Sequence, residues 1–298
     1  MDIYKKNTSL LIVFIIYLIA FLATITITNL FKFTNEWMMI FFAHSLATLF
    51  IYISSISFNN SSMYDPFWSV APIPIVIYLG FYSPESVLNN FYKFIVVIPI
   101  IFWALRLTHN WTLVWHGLNE EDFRYIDLKK GNILNKELIN FFGIHYVPTL
   151  QVNVSLVPIY FIFTNNPENI SWLIFGSFIS FMAVVLQILS DKQMRDFKKD
   201  INNNNNKVNN LGLWHYSRHP NYLGEVMFWF GLYFMALSII EIPNWLILCP
   251  LSMLVLFVFI SCPMMDERSL KRRPDYEEYM KQTSQLLLLP KFKQKKMH

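Results

Sequence analysis

Two cysteines, eight glycines and a charged fraction of 15% leave this 298-residue chain poor in three common building materials. Cys249 and Cys262 both fall in the last apolar stretch, so a disulfide framework is not expected, and neither cysteine has the neighbours of a metal-ligand set. The glycines never occur as G-x-G, which removes the Rossmann and P-loop fingerprints. A soluble domain carries about 25% charged residues. With 54% hydrophobic and 17% aromatic residues, this chain instead reads as a polytopic membrane protein that buries its apolar surface in lipid. No metal and no nucleic-acid partner is expected.

What is present is a series of apolar runs, each close to the ~20 residues that a helix needs to cross a bilayer. They lie at 10–30, 37–57, 90–107, 147–163, 171–190, 222–240 and 245–263, with a weaker one at 68–82 kinked by Pro72 and Pro74. That is an all-α bundle of about eight spans. Two N-terminal helices occupy residues 1–60, the main membrane domain 61–290, and a basic tail 291–298. With both ends on one side, 22 of the 24 Lys and Arg residues share that side, and only Lys32 and Lys93 lie opposite. The positive-inside rule makes the basic side cytosolic. Five consecutive asparagines, Asn202 to Asn206, read as a flexible insertion.

Chemistry concentrates in residues 211–225, LGLWHYSRHPNYLGE. Trp214, Tyr216, Arg218, His219, Asn221, Tyr222 and Glu225 precede or open an apolar run. Pro220 suits the first position of a helix, where its missing N–H costs nothing. Arg218 and His219 can also be read as headgroup anchors, and Glu225 as an acid favoured by the helix dipole. Upstream, DKQMRDFK places Asp191 and Arg195 four residues apart on one helix face. Asp65, in YDPFW, is an acid at the start of a span or a turn residue. His145, in FGIHY, is a titratable group near neutral pH or an interfacial anchor. His44, inside the second run, reads as a partner for a neighbouring helix.

The 211–225 string resembles the C-terminal signature of the steroid 5α-reductase-like membrane family. Sterol Δ14 and Δ7 reductases and isoprenylcysteine carboxyl methyltransferases share looser forms of it. The segments DPFW, DKQMRDFK and MMDERSLKRRPDYEEY extend the resemblance over most of the chain, although Lys198 stands where the family pattern ends on arginine. The resemblance implies NADPH as cofactor, held by Asp191, Arg195, Trp214, Tyr216, Arg218, His219, Asn221, Tyr222, Glu225, Glu267 and Arg272. It further implies reduction of a carbon–carbon double bond in a lipid-soluble enone, steroid or sterol, with Asp65 or His145 polarising the oxygen. The N-terminal Gln-Glu pair of the steroid enzymes is not found here. The methyltransferase relatives imply S-adenosylmethionine instead, and some sterol reductase relatives bind sterol without turnover. The ending KKMH resembles the dilysine signal of endoplasmic reticulum membrane proteins.

The charge split predicts that tags at both termini are digested when protease is added to sealed microsomes. A protected C-terminal tag would contradict the eight-span arrangement.

Overall fold

The computed structural model describes residues 5–130, 133–200 and 207–291. The asparagine run 202–206 and the closing KKMH, 295–298, lie outside the described residues. The structure is 77% helix with no strand among the described residues, which establishes the all-α class. Among the described residues, six helices are long and apolar enough to cross a membrane: Lys6–Thr28, Glu36–Ser57, Asn90–Val114, Leu134–Thr164, Ile170–Lys199 and Asn244–Arg272. The run at 68–82 divides into α3 (Phe67–Val70), α4 (Pro72–Ile77) and a wide turn, Tyr78–Tyr82. The 222–240 run lies mostly in α10 (Pro220–Ala236), of 17 residues, which opens on Pro220.

The chain forms two compact units, Met1–Asn166 and Pro167–His298. The first contains α1 (Lys6–Thr28), α2 (Glu36–Ser57), α3, α4 and α5 (Asn90–Val114). It continues with α6 (Phe123–Leu128), α7 (Ile133–Leu138), a wide-turn stretch at Ile139–Tyr146, and α8 (Val147–Thr164). Short polar side chains start several of these helices. Asn35 accepts from the Met38 amide at 2.8 Å, Asn89 from Phe91 at 2.9 Å and Asp122 from Arg124 at 2.8 Å. Each satisfies a donor that the first helical turn leaves open. α2 stops at Asn59, whose φ of 49° is left-handed, and the Asn60 amide returns to the Ser55 carbonyl at 2.9 Å. Asparagine tolerates that conformation better than most residues, and the returning bond closes the helix end.

The side-chain pattern of the first helix is turned inside out relative to a soluble protein. On α1 the buried residues are Ser9, Val13, Ala20, Thr24 and Thr28, all on one face. Leu11, Phe14 and Ile19 point outward at 56%, 65% and 57% exposure. Large apolar side chains meet lipid at no cost, so the buried face of α1 is left mostly to small and polar residues that allow close helix approach.

The second unit contains α9 (Ile170–Lys199), α10, α11 (Leu248–Leu256), α12 (Cys262–Arg272) and α13 (Tyr276–Gln282). α9 and α10 meet backbone to backbone through glycine. A Cβ built on Gly176 would lie 2.3 Å from the Met235 amide nitrogen and 2.5 Å from the Gly231 carbonyl oxygen. One on Gly224 would lie 2.8 Å from the Ala183 carbonyl oxygen. Those atoms belong to the main chain and cannot rotate away.

Gly176→Ala should therefore force the helices apart and cost about 1–3 kcal/mol. Thermal unfolding in detergent checks this against Gly143→Ala, whose new methyl would meet only Ile139 at an ordinary 3.6 Å. Equal melting of the two variants would refute the close α9–α10 contact.

Candidate functional site

In the second unit, the 211–225 string folds as a short 3-10 turn, Gly212–His215, leading into α10. Gly212 has a φ of 58°, the left-handed region that glycine enters without strain. A polar stripe on α9 holds this loop and the start of α10. Gln193 accepts from the Leu213 amide at 2.9 Å, and the Ser190 carbonyl accepts from the Trp214 indole at 3.0 Å. Gln187 donates to Glu225 at 2.8 Å, and the Trp229 indole donates to the same carboxylate at 3.3 Å. Glu225 is buried within the unit, held by two neutral donors that spread its charge.

Arg218 and His219 converge on Asp266. The guanidinium is bidentate to its carboxylate at 2.9 and 3.3 Å, and His219 Nε2 meets it at 2.9 Å. The Tyr276 hydroxyl donates to it at 2.6 Å. Arg218 Nη1 further donates to the carbonyls of Thr283 at 2.8 Å and Met280 at 3.2 Å. The segment after α12 thus folds back onto the motif. The Arg218 amide bonds the Ser284 carbonyl at 2.9 Å, and Ser217 pairs with Ser284 as an isolated parallel bridge. Tyr279 donates to the carbonyl of Trp214, and Ser217 donates to that of Leu286 at 2.7 Å. Burial pushes the Tyr276 and Tyr279 hydroxyls well above the ordinary tyrosine range, so both stay protonated donors.

The remaining motif residues take other positions. His219 stacks on Tyr222 with the rings 5.4 Å apart, and Tyr222 leans on Phe257. Tyr216 is 44% exposed beside His215. Asn221, Asp191 and Arg195 are half-buried. Glu267 is exposed in an i,i+4 pair with Lys271 at 2.7 Å, and Arg272 is exposed.

Arg273, next to Arg272, points inward. It donates to the Ser269 hydroxyl at 3.0 Å, while its buried Nε has no hydrogen-bond partner among the described residues. Burial, then the Arg272 cation, pulls its guanidinium below the usual value, against an opposing effect of Tyr276. Lys198, at the end of α9, is an electrostatic neighbour of Arg273 and Arg268, and of the carboxylate of Asp191.

In the first unit, Asp65 lies where the loop after α2 is laced to the loop before α6. Asn60 donates to the Leu118 and Glu120 carbonyls at 2.9 and 3.1 Å, and Glu121 accepts from the Ser61 amide at 2.6 Å. Asp65 itself accepts from the Tyr125 hydroxyl and from Arg124 at 3.3 Å. Burial raises its carboxyl to about 6, with Arg124 and the Tyr125 hydrogen bond opposing. His145 is fully buried, with Nδ1 donating to the Asn140 carbonyl at 2.8 Å and Nε2 3.0 Å from the Ser55 hydroxyl. The two proton-donor candidates thus share one unit, and all eleven cofactor candidates lie in the other.

Asp266, Arg273, Gln187 and Gln193 were not among the residues singled out from the sequence. The signal for Asp266 was available. The Glu267–Lys271 pair marks the solvated face of α12, which turns the adjacent acid inward. The three-residue spacing of Gln187, Ser190 and Gln193 similarly marks one face of α9.

A multi-span helical protein with a C-terminal segment clamped onto an arginine–histidine turn defines the class. Residues 50–283 match a family described as a protein of unknown function, DUF1295. The chain belongs to that family, which is steroid 5α-reductase-like in general. It is similar to an uncharacterized protein of Schizosaccharomyces pombe, C594.04c, with 25% identity over 247 residues. That alignment covers 74% of this chain and 70% of the fission yeast protein. No solved structure matches.

The raised Asp65 carboxyl sets a pH dependence. The folded state holds its proton more tightly than the unfolded chain, so this group's contribution to stability is present below the ordinary value of 3.8. It is lost as the pH rises to about 6. The slope is at most about 1.4 kcal/mol per pH unit. Asp65→Asn should flatten melting temperature against pH across that window, and an unchanged profile would remove Asp65 as the titrating group.

Proposed function

We propose that this protein is a membrane reductase that uses NADPH to reduce a carbon–carbon double bond in a lipid-soluble enone, steroid or sterol. The observation that carries the reading is the gathering of Lys198, Arg268 and Arg273 in the second unit, with Arg273 Nε buried and unpartnered among the described residues. Cations brought together in a partly buried setting repel one another and lose hydration, a cost that Asp191 offsets in part and a bound anion would offset further. NADPH brings three phosphate groups to such a site, whereas S-adenosylmethionine brings none. Arg273 can donate from Nε to a phosphate oxygen, a charge-assisted bond of the stronger kind. The exposed ring of Tyr216 offers a face on which an adenine or nicotinamide ring can stack.

When bound, NADPH supplies a hydride. The chain supplies the proton and its environment. Asp65 is the better candidate of the two named, because its carboxyl titrates close to neutral pH and can hold a proton and release it. His145 has both ring nitrogens engaged by Asn140 and Ser55. Its role in this reading is to hold the turn before α8. Arg218 is likewise assigned to scaffolding, since its hydrogen bonds close on Asp266 and on main-chain carbonyls. Residence in the endoplasmic reticulum, suggested by KKMH, belongs to the same proposal.

Titration of the detergent-solubilised full chain with NADPH and with S-adenosylmethionine tests the reading. NADPH should bind, more weakly as salt is raised. Arg273→Ala should weaken it roughly ten- to a hundredfold, with the melting temperature little changed. Arg218→Ala should instead lower the melting temperature, because it leaves Asp266 buried without its main counter-charge. Binding of S-adenosylmethionine alone would overturn the reductase assignment in favour of methyl transfer.

A further inference from the structure

The segment that folds back over the 211–225 turn does not bury all the apolar surface it carries. Ser217 donates to the Leu286 carbonyl at 2.7 Å, and the Leu286 side chain is buried. The next three residues are left bare: Leu287, Leu288 and Leu289 are 54%, 39% and 38% exposed. Their backbone is nevertheless held. The Leu289 amide donates to the Leu287 carbonyl at 2.9 Å and to that of Tyr216 at 3.3 Å. Five residues before Tyr216, Leu211 is 67% exposed at the head of the 3-10 turn. Four exposed leucines thus lie in two segments, far apart in sequence, that main-chain hydrogen bonds tie together.

Their level is set by α9. The turn that follows Leu211 hangs on Ser190 and Gln193, where the apolar run of α9 gives way to the charged stretch 191–199, DKQMRDFKK. Lipid tails surround the apolar part of a spanning helix, whereas its charged end stands among headgroups and water. The leucines therefore lie at that border, where bare apolar groups mark a docking surface. Charge identifies what docks. After Glu278 the sequence carries five lysines, Lys281, Lys291, Lys293, Lys295 and Lys296, and no acid. Leucines flanked by lysines complement a bilayer surface bearing anionic lipid, which offers apolar tails beneath negative headgroups. A partner protein would have to be recruited, whereas the bilayer is kept alongside by α9 at high effective concentration.

We propose that Leu211, Leu287, Leu288 and Leu289 form an interfacial seat on the anionic leaflet that meets the charged end of α9. The leucines enter the layer between headgroups and tails, and the lysines supply the attraction to negative headgroups. Tyr216 contributes only its carbonyl, so its ring stays outside the seat. The seat has a structural consequence. Arg218 donates to the Thr283 carbonyl, and its amide to that of Ser284, a few residues before the leucines. Lipid that holds the leucines therefore also holds this segment on the motif. The inference concerns the second unit alone and does not rest on the reductase reading, since depth in the membrane is measured without NADPH.

The test uses the full chain in nanodiscs of phosphatidylcholine, with or without about 30% phosphatidylserine. A nitroxide is attached after Leu288→Cys or, separately, Leu211→Cys, and two sites keep the result readable if one variant fails to fold. The native Cys249 and Cys262 are buried and should take up no label. Relaxation of the nitroxide by oxygen reports lipid, and relaxation by a neutral, water-soluble nickel chelate reports water. With phosphatidylserine present, both labels should respond more to oxygen than to nickel, as should a label at Phe14→Cys on the outward face of α1. Without phosphatidylserine, the nickel response should rise roughly twofold or more. Lys291→Glu combined with Lys293→Glu should produce the same rise in discs that contain it. Labels relaxed mainly by nickel in both kinds of disc would overturn the seat. Labels reached by neither reagent would overturn it in favour of a protein covering the leucines. A response independent of phosphatidylserine would remove anionic lipid as the occupant.

Discussion

A polar side chain facing lipid has no water to turn to, and the interior of this protein is arranged around that constraint. Many large apolar side chains face outward, as on α1, while inside each unit helices adhere through buried apolar side chains such as Trp103 and Trp229, through small residues and through hydrogen bonds. In the first unit, Thr48, Thr149, Tyr64, Ser55 and His145 satisfy one another across α2, α8 and the turn before α8. In the second, one carboxylate, Asp266, receives Arg218, His219 and Tyr276. Removing any member leaves the others in a medium that gives nothing back.

The same constraint changes how the SRHPNYLGE string is understood. Polar residues that read in one dimension as a ligand-facing set are largely turned toward the protein. Arg218 and His219 tie the turn before α10 to the segment after α12, and Ser217 adds main-chain bonds to that segment. Glu225 is held by Gln187 and Trp229 between α9 and α10. The string behaves as a knot that gives the second unit its form. Lys198 at the end of α9 and Arg273 just after α12 belong to a separate group of charges.

Close backbone contact gives the second unit its other fixed element. Gly176, Gly224 and Gly231 bring α9 and α10 to separations that no side chain could occupy. That contact places Gln187 opposite Glu225 and lines up the polar stripe of α9 with the turn it supports. Packing and polar chemistry here depend on the same few small residues.

The sequence by itself determined the all-α class, the location of most span-length helices and the start of α10 at Pro220. Hydropathy over ~20 residues and a proline at a helix start are local properties, legible without knowing what lies alongside. It also singled out Arg218, His219, Glu225 and Asp65, each of which the fold supplies with hydrogen-bond partners. Only the tertiary structure decided the partners, because those come from far along the chain. Arg218 meets Asp266 across 48 positions, and Thr48 meets Thr149 across 101. Arg272 and Arg273 are adjacent in sequence and equal in charge, yet one faces outward and the other carries a buried, unpartnered Nε. Arg272 closes α12 while Arg273 stands just past it in extended backbone, so the exit from the helix makes that difference, and helical periodicity carries no signal for a residue outside the helix.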